Sequence, residues 1–392
     1  MSGIHASKIL PLAFFYLIYT KSFTRNPRLS NYLRAMSKFQ TLRVTEIRRE
    51  TADSVSLLLE PVSGDVFNFV AGQYLTLRTK IDGEYVRRSY SICSSPRNEG
   101  LRVAIKEVPV GTFSTFANRK LQVGDTLESM PPEGRFTVDT RSETSNHLAF
   151  AAGSGITPIL SIVKEVLTSS DTATFTLFYV NKNTQSIMFK DELADLKDVH
   201  LERFQIFNLL TREPVDVELF SGRLDSARLT RIFESVIDPS NFDVAYLCGP
   251  EPMIMDCKSS LSNFGMSEDN IKFELFTSSA PASASVTSST STSTPSEDKV
   301  DVAIRLDGVT TTVSVKRDGK SILSAALDAG LDVPFSCQGG VCCTCRCKMT
   351  SGAASMEINF ALEPDEVENG YVLACQSHPV GDGPFVMDFD KP

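Results

Sequence analysis

Residues 337–345 read Cys337-Gln338-Gly339-Gly340-Val341-Cys342-Cys343-Thr344-Cys345, and a further thiol stands in Leu373-Ala374-Cys375-Gln376. Cys337, Cys342 and Cys345 have C-x4-C-x2-C spacing, and Cys375 follows thirty positions after Cys345. Each iron of a [2Fe–2S] cluster needs two thiolates, and this pattern supplies three from one tight loop and a fourth from further along the chain. Gly339 and Gly340 are expected to turn the loop with φ > 0 and to bring backbone N–H groups onto the sulfurs, where they tune the reduction potential. A zinc site is the alternative, since Cys342-x2-Cys345 alone would suit one, but zinc more often brings a second C-x2-C pair. Cys343 and Cys347 lie off the ligand spacing and read as small packing residues.

The chain has 392 residues and a net charge of −9. That length allows two or three domains, and the acidic balance argues against a nucleic-acid partner. Nine cysteines, odd in number and clustered, do not read as a secreted disulfide framework. Iron–sulfur thiolates persist best in a reducing compartment, so a cytoplasmic location is expected. Residues 1–37 differ from the rest, with Lys8, Lys21, Arg25, Arg28 and Arg34 around an apolar run from Ile9 to Tyr19. That run is too short to span a bilayer, and Pro11 interrupts it. The segment reads as an extension ahead of a more usual start at Met36, with a peripheral membrane-surface anchor as the alternative.

Residues 38–140 read as short strands: Phe39–Val44, Ser54–Leu59, Tyr74–Arg78, Ser89–Ser94, Leu101–Lys106 and Asp125–Met130, separated by Gly, Pro, Asn and Asp. Regular short strands predict an antiparallel β-barrel. Inside it lie Arg88-Ser89-Tyr90-Ser91 and Gly111-Thr112-Phe113-Ser114, the second opening a short helix from Thr112 to about Lys120.

Residues 141–277 change period. Leu148–Ala152, Thr174–Val180 and Val244–Cys248 read as buried strands, with helical spacing over Ile159–Leu167 and Asp191–Lys197. That alternation predicts an α/β domain on a parallel sheet, whose ligands bind at the carboxyl ends of the strands. Two turns fall there: Gly153-Ser154-Gly155-Ile156-Thr157-Pro158 and Cys248-Gly249-Pro250-Glu251-Pro252-Met253. The first is not G-x-G-x-x-G, so the usual dinucleotide fingerprint is absent. After Val180 no carboxylate stands ready for a ribose 2′-OH; Lys182 and Arg212 instead suit a 2′-phosphate, and NADPH is expected over NADH. The domain ends on Phe273-Glu274-Leu275-Phe276.

Residues 278–298 are mostly Ser, Thr, Ala and Pro without apolar period, which reads as a linker. About twenty flexible residues span on the order of 25 Å, so the last domain is expected to visit the preceding domains and also to swing outward. In residues 299–392, Val300–Arg305 and Thr311–Val315 alternate as a hairpin, Ser321–Ala329 reads as a helix stopped by Gly330, and Phe385–Phe389 is a last strand.

Taken together, these motifs resemble the ferredoxin–NADP reductase superfamily with a C-terminal plant-type ferredoxin. The module order is similar to that of oxygenase reductases, including those of phenylacetyl-CoA epoxidase, steroid hydroxylases and fatty-acyl desaturases. The resemblance implies FAD in the barrel, with Arg88 on the pyrophosphate, Tyr90 along the isoalloxazine, Ser91 at flavin N5, and the backbone of Ile105 and Lys106 lining the ring. Gly111, Thr112, Phe113 and Ser114 would present a helix N-terminus to phosphate. Gly153, Ser154, Gly155, Pro158, Gly249 and Pro250 would admit the nicotinamide nucleotide, flanked by Thr157 and Cys248. Glu274 and Phe276 would lie near the flavin, and the last domain would be an α+β β-grasp fold. The implied path runs from NADPH as hydride to FAD, then singly to the [2Fe–2S] cluster near about −400 mV. The acceptor would be a metal-dependent oxygenase, hydroxylase or desaturase. A self-contained oxidase or diaphorase and a redox sensor without turnover are the competing readings.

Overall fold

Residues 40–129 alternate apolar runs with turn-forming pairs, and they fold into β1 (Gln40–Thr51), β2 (Ser54–Pro61), β3 (Tyr74–Ile81), β4 (Glu84–Ser91), β5 (Leu101–Lys106) and β6 (Thr126–Ser129). The structure is a computed structural model that describes residues 39–64, 67–97, 100–138, 146–276 and 299–391. The expected extension over 1–37 and the linker over 278–298 lie outside the described residues. The strands pair antiparallel in the order β4-β3-β6-β1-β2-β5. An Ile92–Val103 bridge and a 2.8 Å bond from the Cys93 N–H to the Arg102 carbonyl join the two edge strands, closing the barrel. Leu42, Val44, Leu57, Leu75, Leu77 and Val103 fill it.

The strand expected at Ser89–Ser94 instead runs Glu84–Ser91. Asp82-Gly83 sets this register: both residues have positive φ, 51° and 94°, the two-residue turn whose twist suits a hairpin. The ladder then pairs Tyr74 with Ser91. Helix α1 (Thr112–Arg119) is too short to persist alone and is held by Phe113 and Ala117, both buried against the barrel. Losing a buried Phe ring of this kind costs about 3–5 kcal/mol.

The expected parallel sheet follows, with β7 (Asn146–Ala152), β8 (Thr174–Asn181), β9 (Phe204–Leu210), β10 (Val244–Gly249) and β11 (Ile271–Leu275) in the order β11-β10-β7-β8-β9. Helices α2 (Ile156–Ser169), α3 (Lys190–Val199), α4 (Ser226–Ser235) and α5 (Glu251–Asn263) connect them. The sheet is covered on both faces, which is why β8 is an unbroken apolar run: Leu177 and Tyr179 enter one core, Phe178 and Val180 the other. Edge strand β9 is half-exposed, so its pattern is weaker and the sequence reading does not name it. The chain lays β8 and β9 to one side of β7, then crosses back to β10 on the other. The crevice between the carboxyl ends of β7 and β10 is therefore the switch point where such sheets take ligands.

The last domain holds β12 (Lys299–Leu306), β13 (Val309–Lys316), α6 (Ile322–Asp328), β14 (Arg346–Ser351), β15 (Ala353–Met356), α7 (Pro364–Glu368), β16 (Tyr371–Leu373), β17 (Ser377–Val380) and β18 (Phe385–Asp388). Its sheet runs β13-β12-β18-β14-β16, with β12 and β18 parallel. The Ser321 side chain caps α6 by accepting from the Ser324 N–H at 3.3 Å, and Gly330 ends it at φ 81°. Ile322, Leu323 and Ala326 seat the helix on the core beneath the cysteine loop.

Candidate active site: a cavity walled by the cysteine loop

A cavity of about 470 Å³ opens where the barrel, the parallel sheet and the cysteine loop meet. Arg88, Ser89, Tyr90 and Ser91 reach it from the end of β4, and Gly111 to Ser114 from the start of α1. Glu274 and Phe276 reach it from the end of β11, and Ser154 and Thr157 from the turn after β7. Its far wall is Ser336, Cys337, Gln338, Val341 and Cys342.

Local geometry explains the sequence at each wall. A Cβ on Gly111 would stand 2.4 Å from Ser114 Oγ and from a Val108 methyl, so only glycine fits. Gly111 caps α1 without a side-chain acceptor, leaving the helix N-terminus to face the cavity as an anion site would. The Ser114 hydroxyl accepts from the Val108 N–H at 3.2 Å and braces the loop. Tyr90 leans on Phe113 with ring centroids 5.4 Å apart, which fixes one face of the cavity. Arg88 is exposed and donates to the Arg87 carbonyl at 2.6 Å. The size and donor set fit a flavin ring with its phosphate tail.

Ile105 departs from expectation. Its side chain is in the barrel core and its carbonyl is taken by Asn118 Nδ2 at 3.0 Å, so it does not line the cavity; Ala104 and Lys106, one residue either side, do. Strand alternation accounts for the difference.

The two glycine turns, nearly a hundred residues apart, meet at the switch point. Gly153 has φ 53° and its carbonyl accepts from Tyr179 Oη at 3.0 Å. Gly153–Gly155 form a short 3-10 turn, and Thr157 and Pro158, expected in that turn, lie in the first turn of α2. There the missing proline N–H costs no hydrogen bond. Thr157 Oγ1 donates to the Ser154 carbonyl at 3.0 Å. Cys248 is buried at the end of β10, opposite Glu274 on β11, and Gly249 has room for no side chain beside Ala152 and Met253. Pro250 caps α5.

Glu274 is the group with the most altered chemistry. Burial pushes its carboxyl up to about 8, against a partial offset from the Ser91 hydroxyl, which donates to it at 3.3 Å. The Glu274 carboxylic acid thus stands between the Ser91 hydroxyl, which bonds it, and Cys248, its neighbour across the β10–β11 ladder. Burial, with the Glu274 charge adding to it, drives the Cys248 thiol up, so it stays protonated.

Lys182 and Arg212 are brought together at the carboxyl ends of β8 and β9, where the Arg212 N–H donates to the Lys182 carbonyl at 2.8 Å; both side chains are exposed. The sequence reading misses Glu213 beside them. Its carboxylate accepts from the Thr184 N–H and hydroxyl, each at 2.7 Å, and those bonds pull it below the ordinary carboxylate range.

In the cysteine loop, positive φ falls at Gln338, Gly340 and Cys343, and not at Gly339 as expected. Gly340 needs its bare Cα, since a Cβ would lie 2.8 Å from the Ile358 carbonyl. Gly339 instead donates its N–H to Cys337 Sγ at 3.3 Å, and the Cys337 N–H reaches Cys342 Sγ at 3.4 Å. Among the described residues no three metal-binding side chains converge on one point. The thiols form two pairs instead: Cys337 with Cys342, and Cys345 with Cys375. Two pairs fit two irons better than one zinc. In each pair one thiol is lowered by its neighbour and by backbone N–H groups: Cys337 to about 6, and Cys375 likewise downward. Cys347 is fully buried, and Cys343 donates to the Ala361 carbonyl at 3.0 Å; both serve packing.

The contacts that hold the loop against the cavity are polar. Tyr74 Oη donates to the Cys342 carbonyl and lies 3.1 Å from Thr344 Oγ1. Ser89 donates to Ser336 at 2.6 Å. Arg87 and Arg78 meet Asp332, and Glu366 is shared by Arg135 and by Arg346, the latter at 2.7 Å. Apart from Arg346 and Glu366, these partners lie more than two hundred positions apart in the chain, and no local pattern announces their pairing.

Comparison with known proteins agrees with this layout. Three family profiles match in series: an oxidoreductase FAD-binding domain over residues 41–138, an oxidoreductase NAD-binding domain over 150–259, and a 2Fe-2S iron-sulfur cluster binding domain over 304–380. The chain is 38% identical over 359 residues to a component of the 1,2-phenylacetyl-CoA epoxidase of Escherichia coli, covering 91% of this chain and 99% of that protein. It is 32% identical to the ferredoxin reductase component of 3-ketosteroid-9-alpha-monooxygenase of Rhodococcus rhodochrous, covering 88% and 96%. In fold it is similar to phthalate dioxygenase reductase, with a TM-score of 0.55 at 24% identity over 90% of this chain and 98% of that one. The chain belongs to the ferredoxin reductase superfamily, as an oxidoreductase that carries electrons from NAD(P)H through FAD to a C-terminal [2Fe–2S] domain.

Proposed function

We propose that this reductase supplies electrons to a metal-dependent oxygenase, hydroxylase or desaturase. The observation that carries the reading is the shared wall: Cys337 and Cys342 line the same cavity as Arg88, Tyr90, Ser91 and Glu274. The names of its relatives, an epoxidase component and monooxygenase reductase components, support the partner class. FAD, when bound, supplies the conversion between hydride transfer and single-electron transfer.

The residues have separable tasks. Arg88 and the N-terminus of α1 would hold phosphate, and Tyr90 with Phe113 would orient the ring. Ser91 would present its hydroxyl at the reacting nitrogen, with the Glu274 carboxylic acid behind it as a proton reserve. Ser154, Thr157 and the Cys248–Gly249 turn would seat the nicotinamide at the switch point. Cys337, Cys342, Cys345 and Cys375 would hold the cluster.

In the Cys342→Ser protein, NAD(P)H should still bleach the flavin while cytochrome c reduction largely fails. Undiminished cytochrome c reduction would remove the cluster from the path. Rapid peroxide formation by the wild type without any partner, matching its cytochrome c rate, would favour a self-contained oxidase.

NADPH is proposed as the preferred donor, on the exposed Lys182 and Arg212. NADH is a second reading, favoured by the Glu213 carboxylate on the same loop. The ratio of kcat/KM for the two nucleotides decides. No helix among the described residues is long and apolar enough to cross a membrane. Peripheral membrane contact through residues 1–37 is proposed as a lesser feature, and equal liposome partitioning of the full chain and one starting at Met36 would refute it.

A further inference from the structure

We propose that Tyr74 is the positioning residue that registers the cluster loop on the flavin cavity for electron transfer. The proposal rests on the assignment of flavin to that cavity. Tyr74 opens β3, directly opposite Ser91 in the β3–β4 ladder. Its ring forms part of the cavity wall, while its hydroxyl leaves the barrel and donates to the carbonyl of Cys342, an expected iron ligand. One side chain therefore touches both compartments, and its far end bonds the main chain of the ligand residue itself. Ser89 makes a second link, but to Ser336, one residue before Cys337.

The side chain is held on every side. Its backbone N–H donates to the Glu133 carbonyl at 2.8 Å, and its carbonyl accepts from the Glu133 N–H at 3.0 Å. Gly134, at φ 118°, presses its bare Cα toward the ring, where an added Cβ would be 3.1 Å away. The ring is 4% exposed and cannot swing aside. Thr344 Oγ1, at 3.1 Å, gives the hydroxyl a second partner in the same loop. A rigid side chain bonded to a ligand carbonyl fixes the separation of the two redox groups, on which the rate of electron transfer depends. In each transfer one electron leaves the reduced flavin and arrives on the cluster; Tyr74 keeps its proton and is neither oxidised nor reduced.

Tyr74→Phe keeps the ring and removes only the hydroxyl. Rapid mixing of the flavin- and cluster-loaded protein with NADPH resolves bleaching of the flavin from reduction of the cluster. The ratio of the second rate to the first should fall roughly five- to tenfold, the worth of a buried hydrogen bond. Amide hydrogen exchange over residues 342–346 should quicken in parallel, a readout independent of turnover. The integrated electron-spin signal of the dithionite-reduced cluster checks loading. Thr344→Val, which keeps the Tyr74 bond to the Cys342 carbonyl and removes from that carbonyl only the long 3.5 Å bond of Thr344 Oγ1, should lower the ratio less than Tyr74→Phe does. A Tyr74→Phe protein with full flavin, full cluster, and unchanged ratio and exchange overturns the proposal alone. An Arg88→Ala protein that retains its flavin at wild-type affinity overturns the cavity assignment, and this proposal with it.

Discussion

Gly155 and Cys248 lie in backbone contact, so close that a Cβ on Gly155 would stand 2.2 Å from the Cys248 carbonyl oxygen. Neither can retreat, because the strands that lead into them, β7 and β10, are neighbours inside the parallel sheet. Gly155→Ala should therefore destabilise the protein by about 1–3 kcal/mol and raise KM for the nucleotide. Thermal unfolding and a nucleotide titration check this, with the visible spectrum of the cluster expected to stay unchanged.

Glu274 should give the enzyme a titration near pH 8. Its folded value lies far above the ordinary 4.5, and burial is the cause. Below about pH 4.5 the group is protonated whether the chain is folded or not, so it contributes nothing there. Between 4.5 and 8 only the folded protein keeps the proton, so stability falls as pH rises through that window and levels off above it. Glu274→Gln should flatten that slope, by on the order of 3 kcal/mol between pH 5 and 8.5. It should also abolish an apparent pKa near 8 in the rate of flavin reduction. A denaturant series at several pH values and a pH–rate profile are the measurements.

Removing the Arg135 end of the Arg135–Glu366–Arg346 clasp should weaken domain docking by about 1 kcal/mol, since Arg135 is half-exposed. Arg135→Ala should then slow cluster reduction roughly fivefold. Added salt should slow the wild type in the same sense and the variant less. Arg135 holds the Glu366 carboxyl down to about 2, so the clasp is intact above the ordinary carboxylate range and lost only as pH falls toward 2. A docking step insensitive to pH between 5 and 8 is the expected outcome.

The double change Lys182→Ala and Arg212→Ala should lower kcat/KM for NADPH by roughly tenfold or more, and that for NADH by less than about threefold. Steady-state rates with both nucleotides check it. An equal loss for the two would mean that neither charge meets a 2′-phosphate.

The features legible in the sequence are those written in local spacing. The cysteine loop, the Arg88-x-Tyr90-Ser91 segment, the two glycine turns and the capped helix after Ser321 each depend on neighbours within a few residues. The hairpin at Asp82-Gly83 is equally local, yet the charged residues of Glu84 to Arg88 hide the strand that follows it. Ile105 is misplaced because a strand alternates faces, and one step along it exchanges cavity for core. Tyr74, Arg135 and Glu213 are not legible at all. Their partners, Cys342, Glu366 and Thr184, are set by how strands and domains pack, and no pattern in the chain joins them. Val110 belongs with them: a fully exposed valine at φ 62°, a strained position that nothing in its neighbours announces.

The cysteine loop forming the far wall of the cavity has a bearing on fidelity. A reduced flavin open to solvent loses electrons to dissolved oxygen. Here one wall of the cavity is made by the domain that is meant to receive those electrons. The receiver is thus also part of the enclosure, and coupling between nucleotide consumed and product made should be best while it is seated. Were that domain to leave toward an outside acceptor, the cavity would lose this wall, and the peroxide formed per nucleotide should then rise with the time it spends away.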